Sequence, residues 1–181
     1  DNGRIAFSTN RDGNFEIYSM TAAGGSLDRL TNSNGVDSQP AYSPDGTKIA
    51  FNSNRDGNVE IYSMNAGGGG LDRLTNNNFF DAEPGYSPDG SRIVFTSDRD
   101  SGDDPEIYTM NAGGGGVDRL TNTANNVEDT QPVFSPDGSE VLWSVSLLAR
   151  GEAYGSGRTF VSRLENGRWQ LPGGPAAQQR R

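Results

Sequence analysis

The chain has 181 residues, enough to bury a sizeable core. It carries 15 Lys and Arg against 24 Asp and Glu, a net charge of -9, which disfavours nucleic acid and anionic membrane, since both are bound largely through Lys and Arg on phosphate. It has no Cys and no His, which removes disulfides, thiolate metal sites and imidazole-based catalytic triads from this chain.

The first predicted element is a strand at Arg4 to Ser8, followed by the turn "RDGN" at Arg11 to Asn14 and a strand "EIYSM" at Glu16 to Met20. A Gly-containing turn leads to "DRLTN" at Asp28 to Asn32. Next come "QPAYS" (Gln39 to Ser43), the turn "PDG", "KIAFNS" (Lys48 to Ser53), "RDGN" again, "VEIYSMN" (Val59 to Asn65), a glycine run and a second "DRLTN". The order then repeats with "EPGYS", "RIVFTS", "EIYTMN" and "DRLTN", and begins once more with "QPVFS" and "EVLWSVS". Phe7, Phe51, Phe95 and Trp143 mark the period, and "SPDG" recurs at Ser43, Ser87 and Ser135.

A period of this length, built of strand-sized pieces, is the mark of a propeller blade. The four strand types are labelled a ("QPAYS"), b ("KIAFNS"), c ("VEIYSMN") and d ("DRLTN"). In "EIYSM", Ile61 points to one face while Tyr62 and Met64 point to the other, so both faces carry bulk. A strand buried on both sides fits a sheet stacked between two neighbours. The expected fold is all-β, a propeller of four-stranded antiparallel blades with about four present. The expected divisions are an incomplete first blade lacking strand a (1–37), blades at 38–81 and 82–129, a divergent blade at 130–172 and a tail at 173–181.

"IAFNSNRDGNVEIYSMN", "LDRLTN" and "DAEPGYSPDG" together resemble the TolB-like, WD-type bacterial β-propeller repeat, over about residues 3 to 143. The fourth unit, "TFVSRLENGRWQLP", resembles another subtype of the same superfamily. The resemblance implies a non-catalytic platform for protein-protein interaction, periplasmic or extracellular, in the cell envelope. The alternative is the substrate-gating propeller of a larger hydrolase such as a prolyl-oligopeptidase-like peptidase, or a calcium- or glycan-binding surface module. The chain reads as an open piece of a larger ring, completed by missing blades or by oligomerisation. A protein partner is expected; nucleic acid and membrane insertion are not. No apolar run approaches the roughly 20 residues of a spanning helix.

Residues present in every unit are expected to be scaffold. Arg11, Arg55 and Arg99, their neighbours Asp12, Asp56 and Asp100, the acids Glu16, Glu60 and Glu106, and Asp37, Asp81 and Asp129 read as a recurring ion-pair and turn network. "SDRDSGDDPE" concentrates Asp98, Asp100, Asp103 and Asp104, the candidate calcium residues. Their spacing misses the pattern of a calcium loop, and no cofactor is expected. The "AGGGG" runs lack the Lys-Ser/Thr ending of a phosphate loop and read as turns. The serines of "SPDG" have no base to activate them, so no catalytic residue is assigned.

Antiparallel blades put the b-to-c and d-to-a connections on one face, and every length change in the chain falls there. Sites on repeat scaffolds sit where insertions collect. The candidate interaction face therefore comprises Phe79, Phe80, Asp103, Asp104, Asn125, Asn126, Arg150 and Tyr154, with the two Phe as apolar anchors.

Overall fold

The computed structural model describes residues 3–100, 104–123, 127–147, 155–165 and 168–170. Among them every regular element is a strand. β1 (Arg4–Thr9), β2 (Glu16–Thr21) and β3 (Asp28–Arg29) form a three-stranded sheet. The second sheet orders β4 (Asp37–Tyr42), β5 (Lys48–Ser53), β6 (Glu60–Asn65) and β7 (Asp72–Arg73). The third orders β8 (Asp81–Tyr86), β9 (Arg92–Ser97), β10 (Glu106–Asn111) and β11 (Asp118–Arg119). The fourth orders β12 (Val127–Phe134), β13 (Glu140–Leu147), β14 (Gly155–Glu165) and β15 (Arg168–Gln170). Within each sheet every strand pairs antiparallel with the next, so strand types a, b, c and d lie in chain order across each four-stranded sheet.

The repeated aromatics set the register. Phe7 lies opposite Tyr18, Phe51 opposite Tyr62 and Phe95 opposite Tyr108, with ring centroids 6.2, 5.9 and 5.9 Å apart. Such cross-strand pairs pin a sheet because a slip of one residue would turn each ring to the other face.

The core lies between blades. Ile17 of the first sheet packs with Ile49, Phe51, Tyr62 and Met64 of the second. Ala50 and Ile61, on the second sheet's other face, pack with Ile93, Phe95, Tyr108 and Met110 of the third. Val94 and Ile107 pack in turn with Phe134, Val141, Trp143 and Val145 of the fourth. Ile61 thus faces one neighbour while Tyr62 and Met64 face the other, which is why strands b and c carry no polar alternation. Among the described residues the substantial contacts between sheets join consecutive ones, so the four blades form an open arc.

Strand a breaks its own ladder. In β4, β8 and β12 the register shifts between Ser38 and Ala41, Ala82 and Gly85, and Thr130 and Val133. Each shift spans a Pro, which has no N–H to donate. The residue before it takes a positive φ of 53° at Gln39, 59° at Glu83 and 55° at Gln131. These bulges stack along the inner strands, and the Glu83 carboxylate bridges three blades. It accepts from Gln39 Nε2 (3.3 Å), from Thr96 Oγ1 (2.8 Å) and from the Gln131 amide (2.6 Å).

Candidate functional site

The repeated charges resolve into two buried units on the b-to-c side, the first present in the first three sheets and the second complete in the second and third. In the first, the acid that opens strand c meets the Arg and Thr of "DRLTN". Glu16 accepts from Arg29 Nη2 at 3.0 Å, Thr31 Oγ1 at 2.6 Å and the Ser33 amide at 2.8 Å. Glu60 and Glu106 accept from Arg73 and Arg119 at 3.0 and 2.9 Å. All three carboxylates are fully buried, so the guanidinium and amide donors offset a desolvation cost of several kcal/mol each. The Thr hydroxyl in turn accepts from the amides of Ile17, Ile61 and Ile107 at 2.8 to 2.9 Å. The partner of these acids is thus the d-strand Arg and not the turn Arg expected from the sequence, and its signal is the recurrence of "DRLT".

In the second unit, the turn Arg lies over the aromatic pair and reaches the Asp that opens strand a. Arg55 Cζ sits 5.4 and 5.0 Å from the Phe51 and Tyr62 centroids, and its Nη2 donates to Asp37 at 2.6 Å. Arg99 lies 5.1 and 4.9 Å from Phe95 and Tyr108, and donates to both Asp81 oxygens at 2.8 and 2.9 Å. The tyrosine hydroxyls donate to Asp56 and Asp100 at 2.6 and 2.7 Å. Burial, reinforced by the Asp56 carboxylate, pushes the Tyr62 pKa up to about 12.

Asp129 departs from this pattern. By register it matches Asp37 and Asp81, since it lies opposite Val145 as they lie opposite Ser53 and Ser97. The chain position of Arg55 and Arg99 is Leu147 in this blade. Asp129 is fully buried, and neither of its carboxylate oxygens makes a hydrogen bond of good geometry. Burial pushes its pKa up to about 7; the nearby Thr121 hydroxyl opposes the shift and the Glu106 charge adds to it. The expected ion-pair role of Asp129 is therefore corrected, and the cue was "SVSLL" where the other units read "NSNRD" and "TSDRD".

The d-to-a and b-to-c connections meet on one face. Asn58 Nδ2 donates to the carbonyls of Asn77 (3.0 Å) and Phe79 (2.5 Å), Asn77 Oδ1 accepts from the Phe79 amide at 2.6 Å, and Asp98 Oδ1 accepts from the Phe80 amide at 2.7 Å. The preceding connection uses the same harness, with Asn14 donating to Ser33 and Gly35 carbonyls and Asn54 accepting from Val36. On equivalent backbone, one connection displays Gly35-Val36 and the next displays Phe79-Phe80. The two Phe are 40% and 43% exposed.

Of the candidate calcium residues, Asp98 holds Phe80 and Asp100 accepts from Tyr108, 3.9 Å from Arg119. Asp104 is half-buried. Among the described residues no three acidic side chains are grouped to hold a metal ion. Asp103, Asn125, Asn126, Arg150 and Tyr154 lie outside the described residues.

The opposite face is built of constant turns. Ser43, Ser87 and Ser135 donate to Asp45, Asp89 and Asp137 at 2.6 Å each. Those hydroxyls, with the amides and hydroxyls of Thr47, Ser91 and Ser139, lower the Asp45 pKa and bring Asp89 and Asp137 to about 2. A groove of about 640 Å³ between the second and third blades opens there, lined by Lys48, Asp72, Arg73, Tyr86 and Asp89 among others. It lies away from the candidate interaction face. Among the described residues no helix is long and apolar enough to cross a membrane.

The profile of the TolB beta propeller domain matches residues 1–78 and 56–151. A Chlorobium luteolum protein described as a TolB homolog is 52% identical over 44 residues, which are 24% of this chain and 10% of that protein. A structure assigned to TolB of Agrobacterium tumefaciens superposes with a TM-score of 0.80 at 26% identity, covering 93% of this chain and 60% of that one. The chain thus spans less than two thirds of each of these two relatives. A prolyl endopeptidase structure superposes with a TM-score of 0.64 at 15% identity, over 94% of this chain and 28% of that one; this likeness shows the fold alone.

Proposed function

The chain belongs to the TolB beta propeller domain family, and on that premise we propose that it is a non-catalytic binding platform that captures another protein through the face of its b-to-c and d-to-a connections. The observation that carries the reading is the exposed Phe79-Phe80 pair on a backbone harness that the neighbouring blade uses to display Gly35-Val36. Exposed aromatics on a rigid frame supply contact area at low ordering cost. Asn58, Asn77 and Asp98 hold that frame in place. The periplasm or another envelope compartment is the proposed site of action, and this rests on the family resemblance.

The test is the double substitution Phe79→Ser, Phe80→Ser. Quantitative capture of envelope proteins by the immobilised chain should fall severalfold, while melting stays within a few degrees of the parent. A control, Thr47→Ala on the constant face, should leave capture unchanged. Collapse of the melt, or equal loss in the control, would sink the reading.

A further inference from the structure

On the face of constant turns, one position is not constant. Arg4, Lys48 and Arg92 open strand b in the first three sheets, opposite Thr21, Asn65 and Asn111. In the first and third sheets this residue is a clasp. Arg4 Nη2 donates to Ser19 Oγ at 2.7 Å and to Asp28, and Arg92 Nη2 donates to Asp118 at 3.1 Å and to Thr109 Oγ1. One guanidinium thus spans a strand-c hydroxyl and the strand-d acid opposite it. The ammonium of Lys48 is a point charge with no fixed fork of donors to bridge the two. It lies 3.9 Å from Asp72 and donates to no described residue at hydrogen-bond distance.

The groove of about 640 Å³ opens at this loosened clasp, and small-molecule sites run to roughly 300 to 1,000 Å³. Ser63, whose hydroxyl matches those of Ser19 and Thr109, lines it and is 5% exposed. Tyr86 of the third blade, half-buried, lines it too. Among the described residues neither side-chain hydroxyl has a hydrogen-bond partner, and a polar group so placed costs free energy until it finds one. Burial, helped by the Asp45 charge, pushes the Tyr86 pKa up to about 12. The phenol therefore keeps its proton and is a donor at neutral pH.

The charges select what can fill the space. An anion would face Asp45, Asp72 and Asp89 with only Lys48 to receive it, because Arg73 is committed to Glu60 at 3.0 Å. A cation would find its carboxylates already engaged. Asp45 and Asp89 each accept from the Ser before the Pro of their turn and from an amide two residues on, and Asp72 leans on Lys48. A carboxylate holding such bonds still has lone pairs for a hydroxyl. Pro44 and Leu74 add apolar wall. A neutral molecule with hydroxyls that both donate and accept around a C–H face meets all of these groups.

We propose that the groove between the second and third blades is a binding site for a neutral saccharide. Lys48 donates to one ring hydroxyl and Asp72 accepts from its neighbour. The Ser63 and Tyr86 hydroxyls bond further polar atoms of the sugar, and its C–H face packs on Pro44 and Leu74. The site lies away from Phe79 and Phe80, and either reading can fail without the other.

The test titrates cellobiose and diacetylchitobiose into the isotope-labelled 181-residue chain and follows its backbone amide shifts. Saturable shifts are expected at Lys48, Ser63 and Ala112, with none at Phe79 and Phe80. Tyr86→Phe removes one hydroxyl from the groove and should weaken binding about tenfold while the melt stays unchanged. Lys48→Arg should rebuild the clasp onto Ser63 and Asp72. It should weaken binding at least as much while the melt holds or rises, so lost binding cannot be laid to misfolding. Glucosamine and glucuronate, which carry a positive and a negative charge, should each bind more weakly than cellobiose. The proposal is overturned by the absence of saturable shifts with either disaccharide, by shifts outside the groove, or by binding that both substitutions leave intact. Tighter binding of either charged sugar overturns it as well.

Discussion

Asp37, Asp81 and Asp129 hold one position in three blades, and their neighbours give them different chemistry. The first two are buried against an arginine at 2.6 and 2.8 Å. Removing that arginine strands a buried carboxylate, which costs far more than the pair gains over an apolar isostere. Arg99→Leu should therefore lose about 3 kcal/mol in urea unfolding, and adding Asp81→Asn should return most of it. Asp129 is the natural version of the stranded state, with its pKa pushed up to about 7 by burial. An acid that holds its proton more tightly folded than unfolded favours the fold most at low pH. That contribution fades as pH rises from about 4, where the unfolded chain ionises, through 7, where the folded one does. Asp129→Asn should thus raise stability by about 2 kcal/mol at pH 8 and change little at pH 4. A difference that does not vary with pH in parallel melts would refute this. Asp89 and Asp137, at about 2, act in the opposite sense. Their contribution is present above about pH 4 and is lost as pH falls toward 2, so Asn at both positions should flatten the acid limb of the profile.

At the scale of the element, prolines and glycines mark where the ladder must yield. Pro40, Pro84 and Pro132 each follow a residue with positive φ, and the bulge they impose lets Glu83 accept from Gln39 and Gln131 on the neighbouring inner strands. A Pro in a predicted strand signals a bulge or edge, so this feature was legible. The contact it creates was not, because it joins residues 44 and 48 positions apart. Gly35 is another such point. A Cβ there would stand 2.6 Å from the Arg55 nitrogen and 2.7 Å from its Cα. Backbone cannot rotate out of the way, so Gly35→Ala must push the d-to-a connection off the turn that carries the Arg55 pair. A loss of about 2 kcal/mol in urea unfolding is expected.

At the scale of the molecule, each hydrophobic cluster among the described residues belongs to two sheets, so the described core lies between blades and not within them. Stability in such an array is a sum of terms between neighbours. Phe95 lies in the cluster that joins the second and third blades. Phe95→Ala should cost about 3 to 5 kcal/mol and split one unfolding transition into two, with the fluorescence of buried Trp143 following the third and fourth blades. A single cooperative transition in the variant would show that the blades are not coupled pairwise.

The repeat by itself determined the blade, the strand order and the two-sided burial of strands b and c. These depend on periodicity and on residues adjacent in the chain. It also separated constant wording from variable wording, and so pointed to Phe79 and Phe80. Only the tertiary structure decided which opposite charges meet, because a period aligns equivalent residues without saying which of them touch. It paired Glu16, Glu60 and Glu106 with the d-strand arginines, and Asp37 and Asp81 with the turn arginines. The same geometry left Asp129 without an arginine and Arg11 without an acid among the described residues. An unmatched partner can be seen only once the matched ones are in place, since its meaning comes from the burial and distance that its counterparts share.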